Sequence, residues 1–345
     1  MKTTTRWSPA ALRGANNEGI LGLIVLFLII GMTAVNPDFF SFGTFFSIIR
    51  ASVVPMIFAL GVLIVIVSGG IDVSFPAIAI FSAYTTVVLM QTSGMDFGVL
   101  GVLGVALVLG ALLGLINGGL IARFKLPTLI VTLGTQGIFK GVLLAYVGSR
   151  YIAELPASMA NFSTMDLVSI GDGSTVASLH VLIVPVVILC LLVHIMLRRT
   201  MFGRGIYAIG GDTEAARRAG FSVVRIQLAL YALVGALAAF GGVLHVTLTR
   251  SANPQDLLGT ELDIIAAVVL GGASIFGGRG SVLGTVLGVL LIQLINNSLI
   301  LMGIPSAWQR TAVGLLLVIG VGIQALGARR ASKKVIVPRE TVVPS

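Results

Sequence analysis

Apolar residues in this chain come in long, nearly unbroken runs, separated by short clusters of Gly, Pro, Ser, Asp and Arg. The runs have helix length and lack the alternation of strands; a membrane helix needs about 20 residues where a barrel strand needs about 10. The first runs from Ile20 to Val35 and stops at Asn36-Pro37-Asp38. A second, about 53 to 68, ends at Ser68-Gly69-Gly70-Ile71-Asp72, and a third resumes near Pro76. Others are expected at 99–121, at 127–148 with Pro127 suited to a first helical turn, and at 181–197, 227–248, 263–276, 281–302 and 307–327. The stretch 149–180, with its Pro, Ser, Asp and Gly, is the longest connection and is expected to be external.

One passage of the second half departs from this pattern. Met201 to Val223 reads MFGRGIYAIGGDTEAARRAGFSV. Gly210 and Gly211 break what precedes them; Asp212 can act as N-cap, Glu214 sits in the first turn, Arg217 and Arg218 fall in the last, and Gly220 closes at C′. Ala215, Ala216 and Ala219 offer small faces. Helices shorter than about 12 residues are marginal in water, so this segment is expected to dock on a partner.

Composition agrees with a bilayer setting. Of 345 residues 57% are hydrophobic and only 10% charged, with a mean hydropathy of +1.07, more apolar surface than a soluble domain can cover. The expected fold class is an all-α integral membrane protein of about ten transmembrane helices. The net charge of +9 is informative through its placement. With the N-terminus inside and the segments alternating, the inside receives Lys2, Arg6, Arg13, Arg123, Lys125, the six arginines between 198 and 225, Arg279 and the basic residues after 328. Outside fall only Arg50, Arg150 and Arg250. The positive-inside rule therefore places both termini and the Asp212 segment in the cytoplasm, and no nucleic-acid partner is expected. The organisation expected is a cytoplasmic segment 1–19, a transmembrane domain 20–327 holding a cytoplasmic loop 198–226, and a basic tail 328–345.

Candidate chemistry is sparse. Gly110, Gly114 and Gly118 stand four apart, as do Gly284 and Gly288, a spacing that lets membrane helices approach closely. Gly271-Gly272-Ala-Ser-Ile-Phe-Gly277-Gly278-Arg279-Gly280 lacks the Gly-Lys-Ser/Thr ending of a phosphate cradle and reads as a tight turn. The lone Cys190 excludes an intrachain disulfide, and His180, His194 and His245 have no metal-ligand spacing. No nucleophile elbow or HExxH motif is present, so no catalytic residue and no metal is assigned. Asp72 either lines a pathway or caps the helix after it. Ser74 beside it, with Asn117, Thr132, Thr135, Gln136, Gln293, Asn296 and Asn297, forms either an internal polar path or a set of interhelical hydrogen bonds. An ion-coupled transporter using Asp72, or a membrane scaffold or sensor without transport, is the alternative to the reading that follows.

Four blocks of letters resemble the sugar-type permeases of bacterial ATP-binding-cassette (ABC) importers, the branch with ribose, xylose, rhamnose and autoinducer-2 transporters. They are Gly69-Gly-Ile-Asp72-Val-Ser74; Leu126-Pro-Thr-Leu-Ile-Val-Thr-Leu-Gly-Thr135; Thr200 to Gly220 with its Glu214-Ala215-Ala216 core; and Glu261 to Gly272 with Gly277-Gly-Arg-Gly-Ser281. Phe75-Pro76 departs from the Val-Gly usual after the first block. The resemblance implies a multi-pass inner-membrane permease that carries a monosaccharide or a related small polyol or furanosyl compound. It implies a separate ATPase subunit gripping Asp212, Glu214, Ala215, Ala216, Arg217, Arg218 and Gly220, a second permease subunit, alike or different, and a periplasmic sugar-binding protein. Membrane lipid surrounds the chain, which binds no cofactor itself; ATP and Mg sit on the ATPase.

Overall fold

The computed structural model describes residues 18–96, 98–171, 176–305, 308–316, 318 and 322. It is a helical bundle. The first five helices are α1 (Glu18–Val35), α2 (Phe42–Val67), α3 (Phe75–Ser93), α4 (Gly98–Phe124) and α5 (Thr128–Val147). The connection 149–180 holds a short α6 (Ala157–Phe162) and two strands, β1 (Asp166–Ile170) and β2 (Ala177–His180). Then follow α7 (Ile183–Arg199), α8 (Met201–Gly211), α9 (Thr213–Arg218), α10 (Val223–Thr249), α11 (Glu261–Leu270) and α12 (Val282–Leu301). Residues 308–316, 318 and 322 are helical; the rest of the segment expected at 307–327, residues 1–17 of the N-terminal segment and the tail 328–345 lie outside the described residues.

The helix expected at 53–68 begins much earlier, at Phe42, because Ser41 caps it, accepting from Thr44 N at 3.2 Å after a 3₁₀ turn over Pro37–Phe39. Arg50, read as a loop charge, sits inside it. From Val53 to Val67 nearly every side chain of α2 is buried, as a helix that is apolar all round must be, and α2 is the central stave. α1 is its opposite: it fully buries only Leu21, packs Leu28, Ile29 and Met32 against Phe39, Ile48 and Leu294, and shows most of its other apolar side chains outward, toward lipid in a membrane.

The glycine rows join helices within the chain. A Cβ on Gly114 would overlap the carbonyl oxygen of Tyr231 on α10, and one on Gly110 that of Gly235. The backbones of α4 and α10 are therefore in contact, where dispersion replaces the hydrophobic drive that lipid cannot supply. Gly284 and Gly288 of α12 meet Gly271 and Ala267 in the same way. Gly114→Ala should cost about 1–3 kcal/mol through overpacking, read as a lower unfolding midpoint of the purified protein. Gly119→Ala, on the same helix with open space around it, should leave the midpoint unchanged.

Seven helices are long and apolar enough to cross a membrane, or eight if α7 and α8, bent by 71°, make one span. The all-α membrane bundle is as expected; a count of about ten is not reached among the described residues. The segment expected at 263–276 is not a full span: the ten residues of α11 reach about 15 Å at 1.5 Å per residue, half of a hydrocarbon core of about 30 Å. Nor is the connection 149–180 all loop, since β1 and β2 pair antiparallel, Ser169 opposite Ser178. That cap closes one end of the bundle, where Ile152 bridges Ala252 and Asp96 accepts from Ser158 N at 2.8 Å. At the other end Ser281 Oγ donates to Glu18 at 2.5 Å and Tyr207 Oη to the Gly280 carbonyl at 2.7 Å. The loops thus fall into two groups, one per end, as alternating helices require.

Candidate functional site

The Met201–Val223 passage folds as two helices set across the end of α7. Thr200 caps α8, accepting from Gly203 N at 3.0 Å, and the missing side chain of Gly203 lets α8 turn back against the Met196 and Leu197 carbonyls. α8 buries Ile206 and Ile209 and leaves Arg204 outside, then stops at Gly211. Asp212 caps α9 as its sequence predicts: Oδ1 accepts from Glu214 N at 2.9 Å and Ala215 N at 3.0 Å. Gly220 closes it with φ +89°, and Phe221 N donates to the Ala216 carbonyl at 3.1 Å, an end only a left-handed residue permits. Asp212, Glu214, Ala215, Arg217, Arg218 and Gly220 are exposed; Ala216 is buried against Ile209 and Val223 and fastens α9 to its own chain. The Glu214–Arg217 pair, 3.1 Å apart, is solvated on both sides.

Just ahead of α9 three loops meet backbone to backbone. A Cβ on Gly210 would overlap the carbonyl oxygen of Val67, the last residue of α2, and one on Gly277 would overlap the Gly210 carbonyl and crowd Gly69. Gly278 N donates to that same Val67 carbonyl at 2.9 Å. The end of α2, the end of α8 and the turn between α11 and α12 are therefore one rigid knot, with α9 as its outward projection. The glycine-rich passage 271–280 is the tight turn expected, and it serves as the third strand of this knot.

From the knot the chain runs to Asp72, which is 1% exposed. Asp72 Oδ1 accepts from Ser74 N and Ser74 Oγ, both at 2.7 Å, and Asn117 Nδ2 donates to Ser74 Oγ at 2.8 Å. Thr132 Oγ1 accepts from Val73 N at 3.3 Å and Thr128 Oγ1 from Ile71 N at 2.9 Å, stitching the loop to α5, while Thr135 Oγ1 donates back to the Thr132 carbonyl. Of the residues expected along a path, Asp72, Ser74, Asn117, Thr132 and Thr135 are buried against one another or their own helices. Asp72 Oδ2, Asn117 Oδ1 and Tyr231 Oη remain buried with no partner among the described residues.

Gln136 lies apart from this group and reveals a residue not singled out from the sequence. Its Nε2 donates to Glu261 Oε1 at 2.5 Å. Glu261 opens α11, so its carboxylate lies about 15 Å along the bundle from the end of that helix at Leu270. Asp263, also in the first turn of α11, lies within electrostatic reach of Glu261 and Arg310. Ionisable groups inside a membrane bundle are costly and mark functional sites. The one signal in the sequence was an acid placed just after Gly259 and before an apolar run. Asn296, on α12, joins neither group, and its Oδ1 is buried without a partner among the described residues. No cluster of metal-ligating side chains occurs among the described residues.

A family model described as branched-chain amino acid transport system / permease component matches residues 44–321. The chain belongs to this permease family. It is 34% identical to the ribose import permease of Haemophilus influenzae over 88% of this chain and 91% of that one. Against the ribose import permease of Bacillus subtilis the identity is 36% over 87% and 90%, and against the autoinducer 2 import system permease of Yersinia pseudotuberculosis 31% over 88% and 83%. No solved structure matches the chain. The permease is thus a multi-pass inner-membrane component of an ABC importer and not an enzyme; an ion-coupled mechanism finds no support in these relatives.

Proposed function

We propose that this permease forms the path for a monosaccharide, or a related small polyol or furanosyl compound, handed over by a periplasmic binding protein and driven by a separate ATPase that carries the ATP and Mg. The relatives named for ribose and autoinducer 2 support the substrate class. The observation that carries the reading is α9 itself. It is a two-turn helix capped at both ends, with its polar side chains turned outward and its root fused to the knot at Gly210. The distribution of Lys and Arg supports a cytoplasmic position for α9 and both termini, and about ten membrane segments, α11 included as a half-span. Closure of the ATPase would press on α9; the knot would pass the displacement to the ends of α2 and α11, and α11 carries Glu261 against Gln136. A second permease, identical or homologous, would complete the path, because Asp72, Ser74 and Asn117 are packed shut within one chain.

The test is uptake of labelled monosaccharides into vesicles holding the permease, ATPase and binding protein. Glu214→Ala removes only an exposed pair worth less than about 1 kcal/mol, so its unfolding midpoint should stay put while ATP-driven uptake falls at least tenfold. Uptake at the wild-type rate in this variant would sink the assignment of α9 as the ATPase contact.

A further inference from the structure

The elbow between α7 and α8 holds an open cup of about 620 Å³ lined by His194, Arg198, Arg199 and Arg204. All four are exposed, and among the described residues none is in an ion pair. Three permanent positive charges and an imidazole thus converge with no acid among the described residues to neutralise them. His194 and Arg198 are one turn apart on α7, and the bend of 71° brings Arg204, on the outer side of α8, to the same rim.

What lies beneath the cup identifies its occupant. Along the same side of α7, Val187, Ile188, Leu191, Leu192 and Ile195 are all exposed, forming an apolar strip that ends where the arginines begin. An apolar strip about two turns long under a basic rim matches a molecule with an acyl tail and an anionic head. A free phosphate would use the rim and leave the strip unexplained, and an acidic protein would need the strip to face water. Basic pockets at the inner face of membrane helices take phospholipid headgroups for this reason.

We propose that the α7–α8 elbow binds the headgroup of an anionic phospholipid, with its acyl chain along the Val187–Ile195 side of α7. The lipid holds α8 flat on the membrane surface, and α8 carries the knot and α9. The site requires only that the chain is a membrane permease, so it stands or falls separately from the sugar and ATPase reading.

The test is lipid binding by the full-length permease in a neutral detergent, followed by native mass spectrometry and by thermal shift as phosphatidylglycerol, phosphatidylcholine or inorganic phosphate is added. Phosphatidylglycerol should bind and raise the unfolding midpoint; the other two should not. Arg198→Gln combined with Arg204→Gln should weaken phosphatidylglycerol about thirtyfold, at roughly one decade and a half for two arginines near a charged headgroup. The paired Lys variants should retain most of the binding, and Arg123→Gln, exposed at the end of α4, should match the wild type. Equal stabilisation by phosphatidylcholine, competition by inorganic phosphate, or undiminished binding in the double Gln variant would each overturn the proposal.

Discussion

Gly210→Ala is expected to abolish ATP-driven uptake, whereas Gly211→Ala, its immediate neighbour, is expected to be silent. Both glycines end the same helix, and in a helix alanine is ordinarily the better residue by about 1 kcal/mol. Their surroundings differ completely. A Cβ on Gly210 meets the Val67 carbonyl oxygen well inside contact distance and approaches Gly278 N, whereas one on Gly211 meets nothing within 4 Å. The Val67 oxygen cannot swing aside without breaking the bond that it accepts from Gly278 N, which ties the end of α2 to the turn after α11. The extra methyl must therefore separate α8 from α2, an overpacking cost of about 1–3 kcal/mol borne at the joint between α9 and the bundle. Uptake in reconstituted vesicles should drop more than tenfold in Gly210→Ala, with ATP hydrolysis by the assembled complex continuing, since α9 itself is untouched. Wild-type uptake in that variant would show that force does not pass through the knot.

The contrast between those two glycines shows where the sequence could be read and where it could not. α9 was legible in full, because its caps are local: Asp212 reaches only to residues 214 and 215, and Gly220 acts through its own φ. Most spans were legible from run length alone. The start of α2 was not, since Ser41 and the aromatic run after it look like a loop until the 3₁₀ turn ahead of them is seen. α11 was read as a span because its apolar letters continue into the glycine turn, although the helix stops at Leu270. The knot was out of reach for a stronger reason: Gly69, Gly210 and Gly277 are far apart in sequence, and each alone reads as an ordinary helix break. Gln136 was noticed as a polar residue in an apolar run, but its meaning depends on Glu261, 125 residues away.

Asp72 divides the structural and transport readings of the buried polar cluster, and two substitutions separate them. In Asp72→Ala, Ser74 N and Ser74 Oγ lose their acceptor in a site closed to water, and Ser74 Oγ, which also receives Asn117 Nδ2, is no longer oriented. Each buried donor left unmade costs about 1–3 kcal/mol, so roughly 3 kcal/mol is expected in all, along with the order of the loop leading from the knot into α3. The unfolding midpoint should fall clearly and uptake with it. Asparagine keeps an Oδ1 that accepts both bonds, and its new amide faces the side where Asp72 Oδ2 has no partner among the described residues. Asp72→Asn should therefore hold its midpoint within about 1 kcal/mol of the wild type and keep most of its uptake, as a turn-forming side chain should. If the Asn variant instead unfolds like the wild type yet transports nothing, the negative charge itself acts in translocation, and the loop beyond the knot is part of the path.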